Sequence, residues 1–122
     1  MSQSDLALAE AYYSAMQSHD YDKIGSYLDN NVKYVDPNWP LTGKDKVFPV
    51  AKKFSDAVSQ LKTVAKFSND GQVMIVHDVF FKGSEAPLRS AALMTFSNGL
   101  IQQLVLICNP NQHMDICKAI FS

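Results

Sequence analysis

The hydrophobic period of the chain changes near residue 61, and this change limits the folds open to it. Upstream, apolar residues recur at helical spacing, which predicts helices over 4–18, over a short stretch capped by Asp20, and over a third segment that opens at Thr42-Gly43. Downstream the period becomes two, and tight turns at Asn69-Asp70-Gly71 and Asn98-Gly99 separate the segments. Strands are predicted over 62–68, 72–82, 88–97 and 100–109. Helices first and antiparallel strands last predict an α+β fold with the helices on one face of the sheet.

Shorter segments complete the order of elements. Asp29-Asn30-Asn31 is predicted to end the second helix, and residues 32–35 form a short strand that stops at Asp36-Pro37. The loop that follows contains Trp39, and residues 111–121 are predicted to form one or two helical turns. No repeat, low-complexity tract or linker interrupts the pattern, so we predict a single domain over 1–122.

Composition excludes several classes of function. The 122 residues are 47% hydrophobic with a formal net charge of −1, and no basic stripe favours nucleic acid as a partner. The start of the chain lacks the basic and apolar regions of a secretory signal, and no apolar run is long enough for a membrane span. Cys108 and Cys117 are too few for a disulfide framework. The three histidines have no paired acidic ligands, so we expect a cytoplasmic protein without metal or cofactor.

The predicted strands are apolar on both faces. Val73 and Ile75 alternate with Met74 and Val76, for example, although a half-solvated antiparallel strand normally has a polar side. The predicted helices suffice to cover one face only. We therefore expect a homodimer formed through the outer sheet face, where Met74, Val76, Leu93, Val105 and Ile107 are predicted to lie.

The order of elements and several local motifs resemble the SnoaL-like branch of the nuclear transport factor 2 superfamily. The motifs, over residues ~4 to 110, are Tyr12-Tyr13, Asp20-Tyr21-Asp22, Val35-Asp36-Pro37, Leu41-Thr42-Gly43-Lys44 and Ala91-Ala92-Leu93-Met94-Thr95-Phe96 with its Asn98-Gly99 turn. The resemblance implies a cone-shaped fold, with three N-terminal helices packed on a curved, mostly antiparallel sheet around one apolar pocket. It does not specify an activity, because the superfamily contains isomerases, cyclases, dehydratases, hydrolases and proteins without known chemistry.

Ketosteroid isomerases are the most informative comparison within that superfamily. In the register that the resemblance implies, Asp36 takes the position of the proton-transferring Asp, and Tyr12 that of the Tyr that hydrogen-bonds the enolate. The second acid of those enzymes corresponds to Ala92, and two further tyrosines correspond to Leu28 and Ala51. Since the loss of one oxyanion donor typically costs on the order of 10²–10³ in rate, efficient steroid isomerisation is not expected.

The same register assigns the pocket side of each strand. His77 is predicted to face the pocket while Asp78 faces away, and Trp39 either covers the pocket mouth or packs on the third helix. Asp36 acts as a general base or caps a turn, and Tyr12 and His77 take part in catalysis or are satisfied core residues. The predicted catalytic residues are Asp36, Tyr12 and His77, and the predicted ligand contacts are Trp39, Ile75, Ala92, Met94, Leu104, Leu106 and Cys108.

Two functions follow from this set. One is a small-molecule enzyme of the isomerase or cyclase type, which moves a proton on a small apolar carbonyl compound through Asp36 and Tyr12. The other is a non-catalytic domain that binds a small apolar molecule or a protein. The retained Asp and Tyr favour the enzyme, and the missing second acid favours the binding domain.

Overall fold

Four helices pack on one curved sheet of six strands in the computed structural model, which describes residues 4–36, 38–109 and 111–121. Pro37, part of one motif quoted above, lies outside the described residues. The elements are α1 (Asp5–Ser18), α2 (Tyr21–Ser26), β1 (Leu28–Val35), β2 (Leu41–Thr42), α3 (Lys44–Ala57), β3 (Val58–Asn69), β4 (Gln72–Phe81), β5 (Leu88–Ser97), β6 (Leu100–Cys108) and α4 (Met114–Phe121), with a 3₁₀ turn at Asn111–His113 before α4. The predicted α+β fold is confirmed.

The first helices begin where the sequence predicts. The Ser4 side chain accepts a hydrogen bond from the backbone N–H of Ala7 (3.1 Å), and the Asp20 carboxylate accepts one from that of Lys23 (3.3 Å). Two predicted boundaries are wrong. Asp29-Asn30-Asn31 lies inside β1 instead of ending α2, and β3 begins at Val58, so the apolar stripe assigned to the third helix continues onto a strand.

The sheet has the strand order β2-β1-β6-β5-β4-β3 and is antiparallel except between β1 and β6. Both predicted tight turns form, with Gly71 and Gly99 in the left-handed region at φ 80° and 76°. The pairing of β5 with β6 shifts between Thr95 and Phe96. Ile101, which is fully buried, therefore faces inward, although strict alternation counted back from Leu104 would give that position to Gln102.

Burial along β4 alternates without interruption. His77 is buried on the helix side, and Asp78 lies on the opposite face, where its carboxylate accepts a hydrogen bond from Arg89 Nε at 2.7 Å. This is the orientation that strand alternation predicts, and it fixes the inner face of the sheet. None of the helices in the described part of the chain has the length and apolarity that a membrane span requires.

Candidate active site

A cavity of about 110 Å³ lies between the helices and the inner face of the sheet. Most of its wall is aliphatic or aromatic, as is typical of pockets for small apolar ligands. The polar groups that reach it come from α1, β1, the loop after β1, the inner strands and α4. They are Tyr12, Tyr13, Tyr34, Asp36, Asn38, His77, Ser90, Cys108 and Cys117.

Asp36 reaches the cavity because it directly follows β1. Val32, Tyr34 and Asp36 share the strand's inner side, and Asp36 is only 6% exposed. Its Oδ1 accepts hydrogen bonds from the backbone N–H groups of Asn38 (2.8 Å) and Trp39 (3.2 Å). The carboxylate therefore holds the turn after β1 and also forms part of the cavity wall. The turn-capping role considered from the sequence is present, and the position of Asp36 in the cavity wall is the one that a general base would need.

Three tyrosines bring their phenol rings to the same cavity. Tyr12 is buried on α1 and contacts the ring of Tyr13 edge-on, with centroids 5.2 Å apart. Burial raises the pKa of Tyr12 and of Tyr13, and the pKa of Tyr34 is raised by burial and then by the nearby Asp36 carboxylate. All three hydroxyl groups thus stay protonated at neutral pH and are available as hydrogen-bond donors to an oxygen in the cavity.

His77 lies in a wall that the cavity shares with a more polar cleft between α1 and β3. Tyr13 and His77 line both spaces, and their ring centroids are 4.5 Å apart. In the sheet His77 pairs with Ser90, whose side chain also faces the cavity. Burial lowers the pKa of His77, so the imidazole is neutral near pH 7 and can both donate and accept a hydrogen bond.

The two thiols face the cavity from β6 and α4. Burial, followed by the proximity of Cys117 and Asp36, raises the pKa of Cys108 to about 11. The pKa of Cys117 is also raised, first by burial. Both are free thiols and remain protonated at neutral pH, which disfavours a nucleophilic cysteine. Within the described ranges, no group of three or more His, Cys, Asp and Glu side chains is arranged to hold a metal ion.

The residues predicted to contact a ligand lie in three different parts of the structure. Trp39, Leu104, Leu106 and Cys108 line the cavity together with Tyr12, Asp36 and His77. Ile75 lines the cleft between α1 and β3 instead. Ala92 and Met94 are inward-facing, as predicted, but they belong to the packed core, with 2% and 0% exposure. Their side chains are covered by other core residues and do not reach the cavity.

Several wall residues were not predicted from the sequence. The alternation that places Val32 and Asp36 on one side of β1 also includes Tyr34, so that residue could have been found. Cys117, Ile120 and Phe121 could not, because no local pattern shows that α4 returns to the cavity. Trp39 stacks on Phe121, with centroids 4.9 Å apart and planes at 4°. This contact is with α4, and neither simple alternative for Trp39 anticipated it.

Residues 9–104, spanning α1 to β6 and most of this cavity wall, match the SnoaL-like domain family. The chain belongs to that family. The resemblance drawn from its motifs is confirmed. The structure also shows where the residues that correspond to isomerase side chains lie. Leu28 and Ala51, which correspond to isomerase tyrosines, do line the cavity, whereas Ala92, which corresponds to the second acid, lies in the core.

Solved structures with the same fold support this assignment. A nuclear transport factor 2-like protein of Cytophaga hutchinsonii has a TM-score of 0.80 and 14% identity, covering 93% of this chain and 97% of its own. A candidate ketosteroid isomerase of Kribbella flavida has a TM-score of 0.72 and 15% identity, covering 85% and 76%. An LEH-like epoxide hydrolase of M. tuberculosis has a TM-score of 0.75 and 12% identity, covering 93% and 89%. No curated protein matches the sequence significantly. At these identities the likeness shows the fold of the SnoaL-like domain and not its chemistry.

Proposed function

We propose that this SnoaL-like protein is a small-molecule enzyme that moves a proton on a small apolar carbonyl compound. The observation that carries the proposal is a buried carboxylate, Asp36, that shares the wall of a mostly apolar cavity with three protonated tyrosines. The carboxylate shares the cavity with any ligand bound there and can accept a proton from it. Hydrogen bonds to a developing charge are stronger in a mostly apolar site that excludes water.

The proposed reaction has two proton transfers. The Asp36 carboxylate takes a proton from the carbon next to the substrate carbonyl, and the electrons of that C–H bond move to give an enolate oxygen. The hydroxyl of Tyr12 donates a hydrogen bond to that oxygen, and Tyr34 is the second donor close to Asp36. The protonated Asp36 then returns a proton, either to the same carbon or, in a β,γ-unsaturated ketone, to the γ-carbon, so that the double bond shifts. A candidate ketosteroid isomerase and an LEH-like epoxide hydrolase have the same fold, which is consistent with small-molecule chemistry in this protein.

A non-catalytic binding domain remains the second candidate, and one observation favours it. Oδ1 of Asp36 already accepts two backbone hydrogen bonds, which is sufficient to explain a buried Asp at this position. Ala92 also leaves the site without the second acid of the isomerases. In this case the cavity binds a small apolar molecule and performs no reaction on it.

Proton exchange in D₂O separates the two candidates. Small cyclic ketones are incubated with the protein, and the loss of the α-proton signal is followed by NMR. We expect exchange with at least one ketone, and a fall by a factor on the order of 10²–10⁴ in Asp36→Asn. Asp78→Asn is the matched control because Asp78 lies on the opposite face of the sheet. Ketones that bind without any exchange would establish the binding domain instead.

We also propose that the protein is a homodimer formed through the outer sheet face. The registers of β1 and β3–β6 align Val35, Val105, Leu93, Met74 and Phe67 in one row across five strands. Phe67 and Ile107 are 62% and 56% exposed on that face. Contact between these large apolar side chains and water is unfavourable, and burial against a second copy would remove that free-energy cost. Lys62, Asp78 and Arg89 form a charged border to the apolar rows. Sedimentation equilibrium at micromolar concentration tests the dimer.

The two free thiols favour a reducing compartment such as the cytoplasm.

A further inference from the structure

Two half-buried aromatic side chains from distant parts of the chain line the cavity together with the exposed Asn38, and this solvent-facing side is its mouth. Trp39, in the loop after β1, stacks on Phe121, near the end of α4, and Phe121 also contacts the ring of Tyr34 with centroids 5.5 Å apart. The backbone N–H of Trp39 is hydrogen-bonded to Asp36 Oδ1, so the loop is tied to the site itself. Both rings belong to the cavity wall.

The helix that carries Phe121 is packed against the rest of the fold. Ile120 is 5% exposed and packs in a second apolar cluster with residues of β3, β4 and β5, apart from the main core. The turn before α4 is held by His113, whose Nε2–H donates to the carbonyl oxygen of Ala86 at 2.8 Å. Phe121 therefore lines the cavity from a packed element.

The cavity is small. Its volume is about 110 Å³, whereas an engineered apolar cavity of ~150 Å³ binds benzene. A ligand of about one six-membered ring fills it, and anything with a second fused ring meets the Trp39–Phe121 pair. One methylene more than a hydrophobic pocket accommodates typically changes discrimination by about 10–200-fold.

We propose that the Trp39–Phe121 pair determines ligand size and restricts this site to monocyclic or similarly small compounds. This inference rests on the proposed function in one respect only, namely that the cavity is the ligand site. It narrows the substrate class to small monocyclic carbonyl compounds and excludes the four fused rings of a steroid. Phe121 acts as a specificity-determining residue in this scheme, since it touches the ligand but takes no part in proton transfer.

Benzene and naphthalene are suitable probes, and two methionines report their binding. Met16 lines the cavity, and Met74 lies on the outer face of the sheet. With ¹³C-methyl methionine, a probe that enters the cavity shifts the Met16 signal and leaves that of Met74 unchanged. In the wild type we expect benzene to bind and naphthalene to bind at least about tenfold more weakly.

Two substitutions open the mouth from opposite sides. Phe121→Ala should strengthen naphthalene binding about tenfold or more and reduce the preference for benzene. Trp39→Leu should act in the same direction, and it leaves α4 intact if Phe121→Ala fails to fold. Phe67→Ala is the matched control because it removes an exposed phenylalanine on the other face, and it should change neither affinity.

The outcomes distinguish this inference from the proposed reaction. Equal affinity of the wild type for the two probes overturns the size restriction, as does unchanged naphthalene binding in both opened variants or the absence of any Met16 shift. Asp36→Asn should retain the preference for benzene. If the preference is present while no ketone exchanges its proton, the size restriction stands and the proposed catalysis fails. If ketones exchange their protons without a size preference, the catalysis stands and the size restriction fails.

Discussion

Substitutions at Asp36 separate its structural role from its chemical one. Asp36→Ala removes the acceptor of two backbone hydrogen bonds, at 2.8 and 3.2 Å. Asn38 is exposed, so water can replace the first bond, while the N–H of the half-buried Trp39 is harder to rehydrate. We therefore expect a loss of about 1–2 kcal/mol in the free energy of unfolding, comparable with the loss of a helix cap.

Asp36→Asn keeps an oxygen where Oδ1 lies. Both N–H groups retain an acceptor, and the weaker bonds to a neutral oxygen are offset because no charge is buried any longer. The free energy of unfolding should thus stay within about 0.5 kcal/mol of the wild type. If this variant loses activity at unchanged stability, the lost activity is due to the missing base and not to a distorted turn.

Urea denaturation followed by circular dichroism measures both variants. Trp39 is the only tryptophan, so its fluorescence reports separately on the turn that Asp36 holds. The emission of Asp36→Ala should shift to the red because the indole loosens from Phe121, whereas that of Asp36→Asn should not. Equal stability of Asp36→Ala and wild type would refute the capping role, and an equal loss in both variants would show that the charge itself stabilises the fold.

Three further predictions concern other parts of the molecule. Tyr12→Phe should lower the rate of proton exchange by a factor on the order of 10²–10³ and leave ligand affinity nearly unchanged, as measured by the same NMR assay. Burial lowers the pKa of His77 below its ordinary value of 6.5, so the unfolded chain binds the extra proton more readily. The free energy of unfolding should therefore reach its full value above the ordinary pKa of histidine and fall as the pH decreases below it. Urea titrations at several pH values should show that this free energy depends less on pH in His77→Gln. Leu93→Lys, in the centre of the outer face, should give a monomer by sedimentation equilibrium, whereas Asp22→Lys on α2 should not.

The helices and hairpins of this protein could be predicted because their signals are local. Ser4 and Asp20 cap the helices that follow them. Asn98 and Gly99 both have the positive φ angles that a tight hairpin turn requires. The start of β1 could not be predicted, since Asp29-Asn30-Asn31 has a turn-like composition but lies between Leu28 and Lys33, which both pair with β6. Tertiary pairing overrides local preference at such positions.

The residues of the candidate site could also be predicted only in part. The positions of Asp36, Tyr12 and His77 in the cavity wall could be predicted, because strand alternation and the family register indicate them. Met94 was placed on the correct face, but alternation cannot tell whether an inward side chain meets a cavity or a packed helix. The contribution of Phe121 depends on where α4 packs after the last strand, and no spacing in the sequence encodes that contact.

The lengths of the outermost strands have a consequence for unwanted aggregation. β2, at one edge of the sheet, has only two residues, while β3, at the other, has twelve. Such a long edge strand would normally invite another chain to extend the sheet. Its pairing register shifts at two points, between Val58 and Gln60 and between Thr63 and Ala65, and Lys66 turns inward to Glu10 at 3.0 Å. Irregular backbone and an inward charge both obstruct strand addition. The open-ended growth that leads to fibrils is thereby disfavoured, whereas the proposed dimer would close through the face of the sheet and stop at two copies.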